Sequence, residues 1–585
     1  MVVYAKSSLG NKKPETLREH TDILLENYGF LRINKFIKYN HKDIDTAIKA
    51  MLELHDYGKL NHKFQNKLPI DGKNDIFIKE LDGYAEIPHA WLSLAFITEE
   101  MEDFWEDLGE LFNTNLEFDY IIKYAISFHH NRNHIFNSEN LTKFIKYDLE
   151  KRKEEIGIKY SLNDTYYIDK IKQKIESPKN FEAYLPYLVF FKGLLHKCDY
   201  SASAHLTPEK IYDGNYNKDF DNWLPFELKG FQKDAKTLSE QNKSVVLVAS
   251  TGVGKTEYSM NWIGGSKTSN KKAFYLLGLR MATNKMSDRF KEVFNSNNRE
   301  NVALLHSSVG SYEYNENEDI FSYFNKRSQA KQLSYPITIA TADQLVTSVF
   351  KYSGFELKYF TASYSYIVVD EIQSFAPEAI ASIIVFLQEI HKLGGRFLLM
   401  TATLPSFVKD DLKNLSDIEF PEHKDQLSDK KRHKVELIEE KIEENILDYI
   451  EDDKKILIIC NTVKKAQEIA GILENKGVTP KLLHSKFIVK DRTKKENEIM
   501  NNAPNGKGGE KSVIWISTQI VEASLDIDFD LLLTENATID SLLQRFGRCY
   551  RSRSLETPPL GGWEAKSIFL YLKMMKFQNL FMIKI

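Results

Sequence analysis

The sequence predicts a multidomain protein: an all-α unit followed by two α/β lobes built on parallel sheets. Three observations lead there. The chain is 585 residues long, several times the ~150 residues that one core usually serves. Near residue 228 its patterning changes, from apolar residues recurring at three and four to short aliphatic runs that each precede a helical stretch. A polar segment at 411–434, containing EHKDQLSDKKRHK, divides that second texture into two series.

Composition is that of an ordinary folded chain, 42% apolar and 28% charged. Lys plus Arg (79) nearly balance Asp plus Glu (83), so a site for a polyanion must be local rather than a global field. Cys198, Cys460 and Cys549 form neither a disulfide framework nor a paired zinc-type spacing and fit a reducing compartment. The N-terminus carries no apolar signal core, and YLPYLVFF at 184–191 is far short of the ~20 residues of a membrane span. A cytoplasmic protein without membrane attachment is expected.

Residues 1–205 read as the all-helical unit, with the helical period plain in DIDTAIKAMLELHDYGKL, AWLSLAFITEEMEDFWEDL and FDYIIKYAISFHH. Ten of the 15 histidines fall in this third of the chain. His55 and Asp56 are adjacent, while His20, His89, His129, His130 and Asp199 belong to other helices. Imidazoles and carboxylates suit iron, manganese, nickel, cobalt or zinc, and a carboxylate shared by two ions can assemble the ~3.5–4 Å pair used in phosphodiester hydrolysis. Asp56 is the candidate for sharing. His41, His62, His134, His196 and His205 read as ordinary core or surface histidines, and Ser203 as a hydroxyl bonding locally near a helix end.

Residues 206–227, punctuated by Pro208, Gly214 and Pro225, read as a linker. The first α/β lobe, 228–415, holds the strands SVVLVAS, KAFYLLGL, ITIAT, YSYIVVDE and RFLLMTAT. SVVLVAS runs into TGVGKT, the strand, Gly-rich turn and helix start that a P-loop requires. There Thr251, Gly252 and Gly254 form the turn whose N–H groups face a polyphosphate, Lys255 supplies a point charge, and Thr256 offers a hydroxyl to magnesium. Asp370 and Glu371 end a strand at the ligand-binding edge of the sheet, the first suited to a metal and the second to orienting a water. Thr401, Ala402 and Thr403 are suited to relaying a change at the nucleotide between lobes.

The second lobe, 416–556, carries KILIICNT, VIWIST and DLLLTE, then Asp526, Gln544, Arg545, Arg548 and Arg551. The three-residue spacing of the arginines suggests one helical face aimed at phosphates, with charge delivered when the lobes close. Residues 557–585 read as a short atypical tail with one plausible final strand, SIFLYL, and a mixed apolar and basic end.

ASTGVGKT, DEIQ, TATLP, STQIVEASLDID and QRFGRCYR, in this order over roughly 228–555, resemble the motifs of superfamily 2 helicases. The resemblance implies RecA-like lobes and ATP with magnesium as cofactor, held by the P-loop residues with Asp370, Asp526, Gln544 and Arg545. It also implies contact of Gln232 with adenine, Glu371, Arg548 and Arg551 as catalytic groups, and a track for single-stranded DNA along Arg280, 341–345, His484 and Ser485. The pattern H…HDxGK…H…HH…D over about 10–205 resembles the nuclease form of the HD phosphohydrolase superfamily. It implies that His20, His55, Asp56 and Asp199 hold one divalent transition-metal ion and Asp56, His89, His129 and His130 the other, with Lys59 neutralising the scissile phosphate.

In this order, the two halves resemble the CRISPR-associated helicase-nucleases of type I systems. That implies 3′ to 5′ translocation feeding single-stranded DNA to the nuclease after recruitment by an RNA-guided, Cascade-like surveillance complex. Only 34 residues follow Arg551, so the accessory C-terminal domain of that family is expected to be missing and unwinding to be impaired. Two other readings are an HD phosphohydrolase or nuclease of another DNA-processing pathway, and a catalytically silent docking module.

Overall fold

The computed structural model describes residues 2–7, 13–70, 75–130, 138–164, 168–250, 252–265, 272–295, 298–313, 319–423, 432–439, 441–450, 453–505, 508–522, 525–551 and 568–571. Among them no helix is long and apolar enough to cross a membrane. His134 and Thr251 lie outside the described residues, as does most of the tail.

The front of the chain is helical, but not wholly so. Strands β1 (Tyr4–Lys6) and β2 (Glu15–Thr16) pair antiparallel before the first long helix, Leu17–Ile33. That helix starts where it does because Thr16 and Glu19 form a capping box: the Thr16 hydroxyl accepts from Glu19 N at 3.2 Å, and Glu19 accepts from Thr16 N at 2.8 Å. The longest helix, Phe181–Ala204, is the spine of the unit, buried along most of its length.

The first parallel sheet holds β3 (Ser244–Val248), β4 (Ala273–Leu277), β5 (Val302–Leu305), β6 (Ile337–Thr341), β7 (Tyr366–Asp370), β8 (Arg396–Thr401) and β9 (Ile418–Glu419), in the order β5-β6-β4-β7-β8-β3-β9. Aliphatic and β-branched runs such as SVVLV and YIVVD are buried on both faces, as a helix-covered parallel sheet demands. Because β8 lies between β3 and β7, the turn after β3 and the acidic end of β7 open on the same edge of the sheet. The second sheet holds β10 (Val435–Ile438), β11 (Lys455–Ile459), β12 (Lys481–Leu483), β13 (Val513–Ser517), β14 (Leu531–Glu535) and β15 (Ile568–Tyr571), in the order β10-β15-β14-β11-β13-β12 and also parallel.

Three boundaries differ from the sequence reading. β9 pairs with β3, so the first lobe runs past residue 415. β15 sits between β10 and β14, so the strand predicted within the tail completes the second sheet and that lobe does not stop at 556. The 206–227 segment is no free linker: helix Tyr216–Trp223 buries Tyr216 and Phe220 in the first lobe. Punctuating Pro and Gly residues marked turns there, while the two anchoring aromatics carried too little periodicity to register.

One continuous apolar core joins the helical unit to the first lobe. Ion pairs are sealed into the same junction: Lys192 meets Glu356 at 2.8 Å, and Lys197 meets Glu209 at 2.8 Å. Glu209 also contacts Lys272, at the foot of β4, and accepts from the Tyr364 hydroxyl at 2.7 Å. Burial pushes the Lys272 ammonium down to about 7. Removing one partner of such a group strands the other charges without water. Glu209→Ala is therefore expected to destabilise the chain by about 3–5 kcal/mol, read as a lower midpoint in urea unfolding; an unchanged midpoint would show that Glu209 does not pin the junction.

Candidate metal centre and nucleotide cleft

Five separate elements of the helical unit bring the His and Asp side chains together. His20 comes from Leu17–Ile33, His55 and Asp56 follow helix Lys42–Leu54, His89 begins helix His89–Leu92, His129 and His130 follow helix Phe118–Ser127, and Asp199 comes from Phe181–Ala204. Their ligand-type atoms form two groups, Asp56 with His89, His129 and His130, and His20 with His55 and Asp199, each within 4.8 Å. Asp56 joins the groups: its Oδ1 lies 3.2 Å from His89 Nε2 and 3.6 Å from His129 Nε2, and its Oδ2 lies 3.4 Å from His55 Nε2 and 3.5 Å from His20 Nε2.

None of the contacts of Asp56 Oδ1 and of the Nε2 atoms of His55, His89 and His129 is aligned as a hydrogen bond, which leaves these four atoms buried without partners. Buried polar atoms are almost always satisfied by protein, water or ion. Their convergence, from groups that all ligate transition metals, fits a metal centre. Ring orientation supports the same reading: His55 Nδ1 lies 2.8 Å from the Leu52 carbonyl and His129 Nδ1 lies 2.6 Å from the Ile126 carbonyl. Donating Nδ1–H to those carbonyls leaves both Nε2 lone pairs facing the centre.

Lys59 bonds Asp56 Oδ2 at 2.5 Å and lies over the Phe64 ring. Ser203 bonds Asp199 at 3.2 Å, the local contact expected of it. The sequence reading missed four supporting groups. Gly58 is one, because a Cβ there would sit 2.0 Å from the His89 carbonyl oxygen; only glycine lets the His89 backbone approach. Ser93 accepts from Gly58 N at 2.9 Å and donates to the His55 carbonyl at 2.7 Å. His196, read as an ordinary histidine, bonds the His129 carbonyl at 2.8 Å, and Glu15 lies 3.0 Å from His20 Nδ1. Of these, only the Gly in HDYGK had a visible signal.

Burial pushes His55 and His89 down to about 4 and His196 to about 3. Burial alone would raise the Asp56 carboxyl, yet its neighbours His55, Lys59, His129 and His89 hold it well below the usual carboxylate range. Burial also lowers His20, but its bonds to Asp199 and Glu15 more than reverse this and raise it. For His55, His89 and His196, the unfolded chain takes up protons near pH 6.5 while the fold resists them down to about 3–4, so their stabilisation is complete above pH 6.5 and is lost on acidification. His20 acts in the opposite sense, its contribution fading as pH rises through its raised value. In chelator, stability is expected to fall between pH 6.5 and 4 more steeply than the ~1.4 kcal/mol per pH unit of one group. A flat urea midpoint across that window would contradict the neutral burial of these rings.

The second site lies between the lobes, a cleft of about 640 Å³ lined by Gln232, Gly252, Gly254, Lys255, Thr256, Asp370 and Glu371 from one side and Asp526, Gln544, Arg548 and Arg551 from the other. A larger hollow, about 880 Å³, lies against β5 and contains none of them. Gly254 has φ 104°, and a Cβ on it would meet Gln232 Nε2 at 2.1 Å. Gln232 donates to the Gly254 carbonyl at 2.9 Å and accepts from Lys229 N at 2.8 Å, so it braces the loop. Lys255 pairs with Glu371 at 2.9 Å. Glu371 adopts φ 53°, a left-handed conformation that non-glycine residues rarely take. Burial and the Glu371 charge push Asp370 up to about 6, while the Tyr275 hydroxyl donates to it at 2.7 Å.

The arginines do not share a helical face. Helix Ile539–Phe546 ends before Arg548 and Arg551, which line the cleft; Arg548 donates to the Leu525 and Glu522 carbonyls at 2.6 and 2.5 Å, and Arg551 Nε lies 3.4 Å from Asp526. Arg545 is not in the cleft. It is fully buried, bonding Glu522 at 2.7 Å, Thr534 at 2.8 Å and Asn461 at 2.9 Å. Its assignment to the cofactor is corrected: with four acceptors inside the lobe, including the Glu535 carbonyl, it ties that lobe together. Among the strand-track residues, Arg280 bonds Ser308 at 2.7 Å, Ser485 is exposed, and His484 is buried and stacked on Phe487.

Two family descriptions match the chain: "DEAD/DEAH box helicase" over residues 229–411 and "CRISPR-associated nuclease/helicase Cas3, C-terminal" over residues 452–554. Two parallel-sheet lobes facing each other across a P-loop define the class, a helicase-type motor. A CRISPR-associated nuclease/helicase Cas3 of Methanothermobacter thermautotrophicus is 27% identical over 90% of this chain and 70% of its own length. The fold matches a crystal structure of T. fusca Cas3-ADP with TM-score 0.70 and 19% identity, covering 99% of this chain and 76% of that one. It also matches a chain of a CRISPR RNA-guided surveillance complex, pre-nicking, with TM-score 0.61 and 17% identity, covering 98% and 74%. Over nine-tenths of its length the chain is thus similar to Cas3 nuclease/helicases.

Proposed function

We propose that this chain is an ATP-driven DNA translocase joined to a metal-dependent HD-type nuclease, which degrades single-stranded DNA in type I CRISPR interference once an RNA-guided surveillance complex recruits it. The observation that carries the nuclease half is the set of four unpartnered buried atoms on Asp56, His55, His89 and His129. The likeness to a surveillance-complex chain supports the partner, and the likeness to a nucleotide-bound relative supports ATP.

On this reading His20, His55 and Asp199 hold one ion, His89, His129 and His130 the other, and Asp56 serves both. Bound there, a pair of divalent ions supplies the Lewis acidity that phosphodiester cleavage needs. The chain's own residues set the geometry: the Leu52 and Ile126 carbonyls fix two imidazole tautomers, and Lys59 stands beside Asp56 with an ammonium suited to a phosphate oxygen. In the motor, Lys255 would exchange its Glu371 partner for the nucleotide's phosphates, freeing Glu371 to orient water, while Arg548 and Arg551 meet the developing charge from the facing lobe. Thr256 and Asp370 would hold the magnesium.

The test is cleavage of circular single-stranded DNA in manganese by the wild type, Asp56→Ala and Lys255→Ala, with ATP turnover measured alongside. Asp56→Ala is expected to cut at least ~100-fold more slowly with ATPase intact. Lys255→Ala is expected to keep nicking and to lose ATPase by at least ~100-fold. Equal cutting by wild type and Asp56→Ala would remove the nuclease assignment.

A further inference from the structure

The histidines facing the centre are not oriented alike. His55 and His129 set their Nδ1 atoms against backbone carbonyls, whereas His20 sets its Nδ1 3.0 Å from the carboxylate of Glu15. On the other edge of the same ring, Nε2 lies 3.2 Å from Asp199 and 3.5 Å from Asp56. Glu15 is itself buried, with 8% of its surface exposed. Its second oxygen faces His205 at 3.3 Å and Lys6 at 3.9 Å.

The tautomer of His20 is contested. Lys6 Nζ lies 3.3 Å from His20 Nδ1, and a bond donated by that ammonium would put the ring proton on Nε2, where it would block ligation. A carboxylate at the same nitrogen demands the opposite, a proton on Nδ1, and so turns the Nε2 lone pair to the centre. The β1–β2 hairpin that carries both competitors is stitched to the site: Tyr4 N donates to Gln65 at 3.2 Å, and Gln65 donates in turn to the carbonyls of Tyr4 and Lys59, each at 2.8 Å.

We propose that Glu15 is a positioning residue of the metal centre, holding His20 in the Nδ1–H form so that its Nε2 can ligate the ion shared with His55 and Asp199. This rests on reading the cluster as a metal centre. It follows that Glu15 governs one of two ion sites, and that the N-terminal hairpin, though it contributes no ligand, sets that site's affinity.

The measurement is titration of the chelator-stripped full chain with Mn²⁺, free ion being read by electron paramagnetic resonance. The wild type is expected to bind two ions. Glu15→Gln, which keeps an acceptor but not its charge, and Glu15→Ala are expected to weaken one of them by about 10–100-fold, Ala more than Gln, and to leave the other unchanged. His20→Ala marks the full loss of that ion. Thr16→Ala is the control: it removes the cap at the same hairpin and helix junction, so it should lower the melting temperature without changing either affinity. Two wild-type ions with both affinities unchanged in Glu15→Ala would overturn the proposal, as would equal weakening in Thr16→Ala. A wild type that binds no ion would instead remove the metal-centre reading itself.

Discussion

Everything in the helical unit is arranged around one buried carboxylate. Asp56 is 1% exposed, and stripping an ionised carboxyl of water is among the costliest things a fold can do unless charge and donors surround it. Here imidazoles from four elements and the Lys59 ammonium surround it, yet four of the converging atoms keep no partner of their own. A core that evolved only for stability would satisfy or exclude such atoms. The residues one layer out make sense only as a frame for this cluster: Gly58 admits the His89 backbone, Ser93 links the His55 and Gly58 backbones, and His196 grips the carbonyl of His129. Asp56 itself sits at φ −110°, ψ 0°, the sparsely populated bridge region that active-site residues often occupy.

The same constraint explains how the two halves are joined. Asp199 stands two residues beyond Lys197 on helix Phe181–Ala204, and Lys197 is locked through Glu209 to Lys272 at the foot of β4. β4 ends at Leu277, and the segment after it lines the nucleotide cleft. The helix that carries Asp199 and the strand that leads to the cleft therefore share one buried set of charges. The helical unit and the first lobe share one apolar core and these buried charges, whereas the two lobes face each other across the cleft. The cleft is where charged groups from both lobes meet.

Much of this was legible in the sequence because the chemistry is concentrated in short segments. A buried parallel strand, a Gly-rich turn and GKT occupy consecutive positions, and the adjacency of His55 and Asp56 stands out among apolar neighbours. What stayed hidden depends on distant pairings. Glu15 lies in an unremarkable KKPET stretch and becomes informative only once β1 and β2 pair. Arg545 shares its spacing with Arg548 and Arg551, but the helix ends at Phe546; a three-residue interval says nothing about where a helix stops, so one arginine lies inside the lobe and two line the cleft. The segment holding Glu209 and Tyr216 reads as punctuation because the partners that bury it, Lys197 and Lys272 for one and Phe294 for the other, lie outside the segment on other elements.

The cleft is built from groups that neutralise one another when no phosphate is present. Lys255 holds Glu371, and Asp526 lies beside Arg551. Each pair consists of a cation suited to phosphate and an anion that phosphate would repel, so an incoming polyphosphate must trade places with both carboxylates. Arg548 adds an asymmetry: two of its nitrogens are tied to the carbonyls of Glu522 and Leu525, while Nε stays buried without a partner. A guanidinium held in that way cannot follow a ligand by bending its own side chain. On the proposed reading it would meet a phosphate through a shift of the second lobe as a whole, which would couple charge in the P-loop to displacement of one sheet relative to the other.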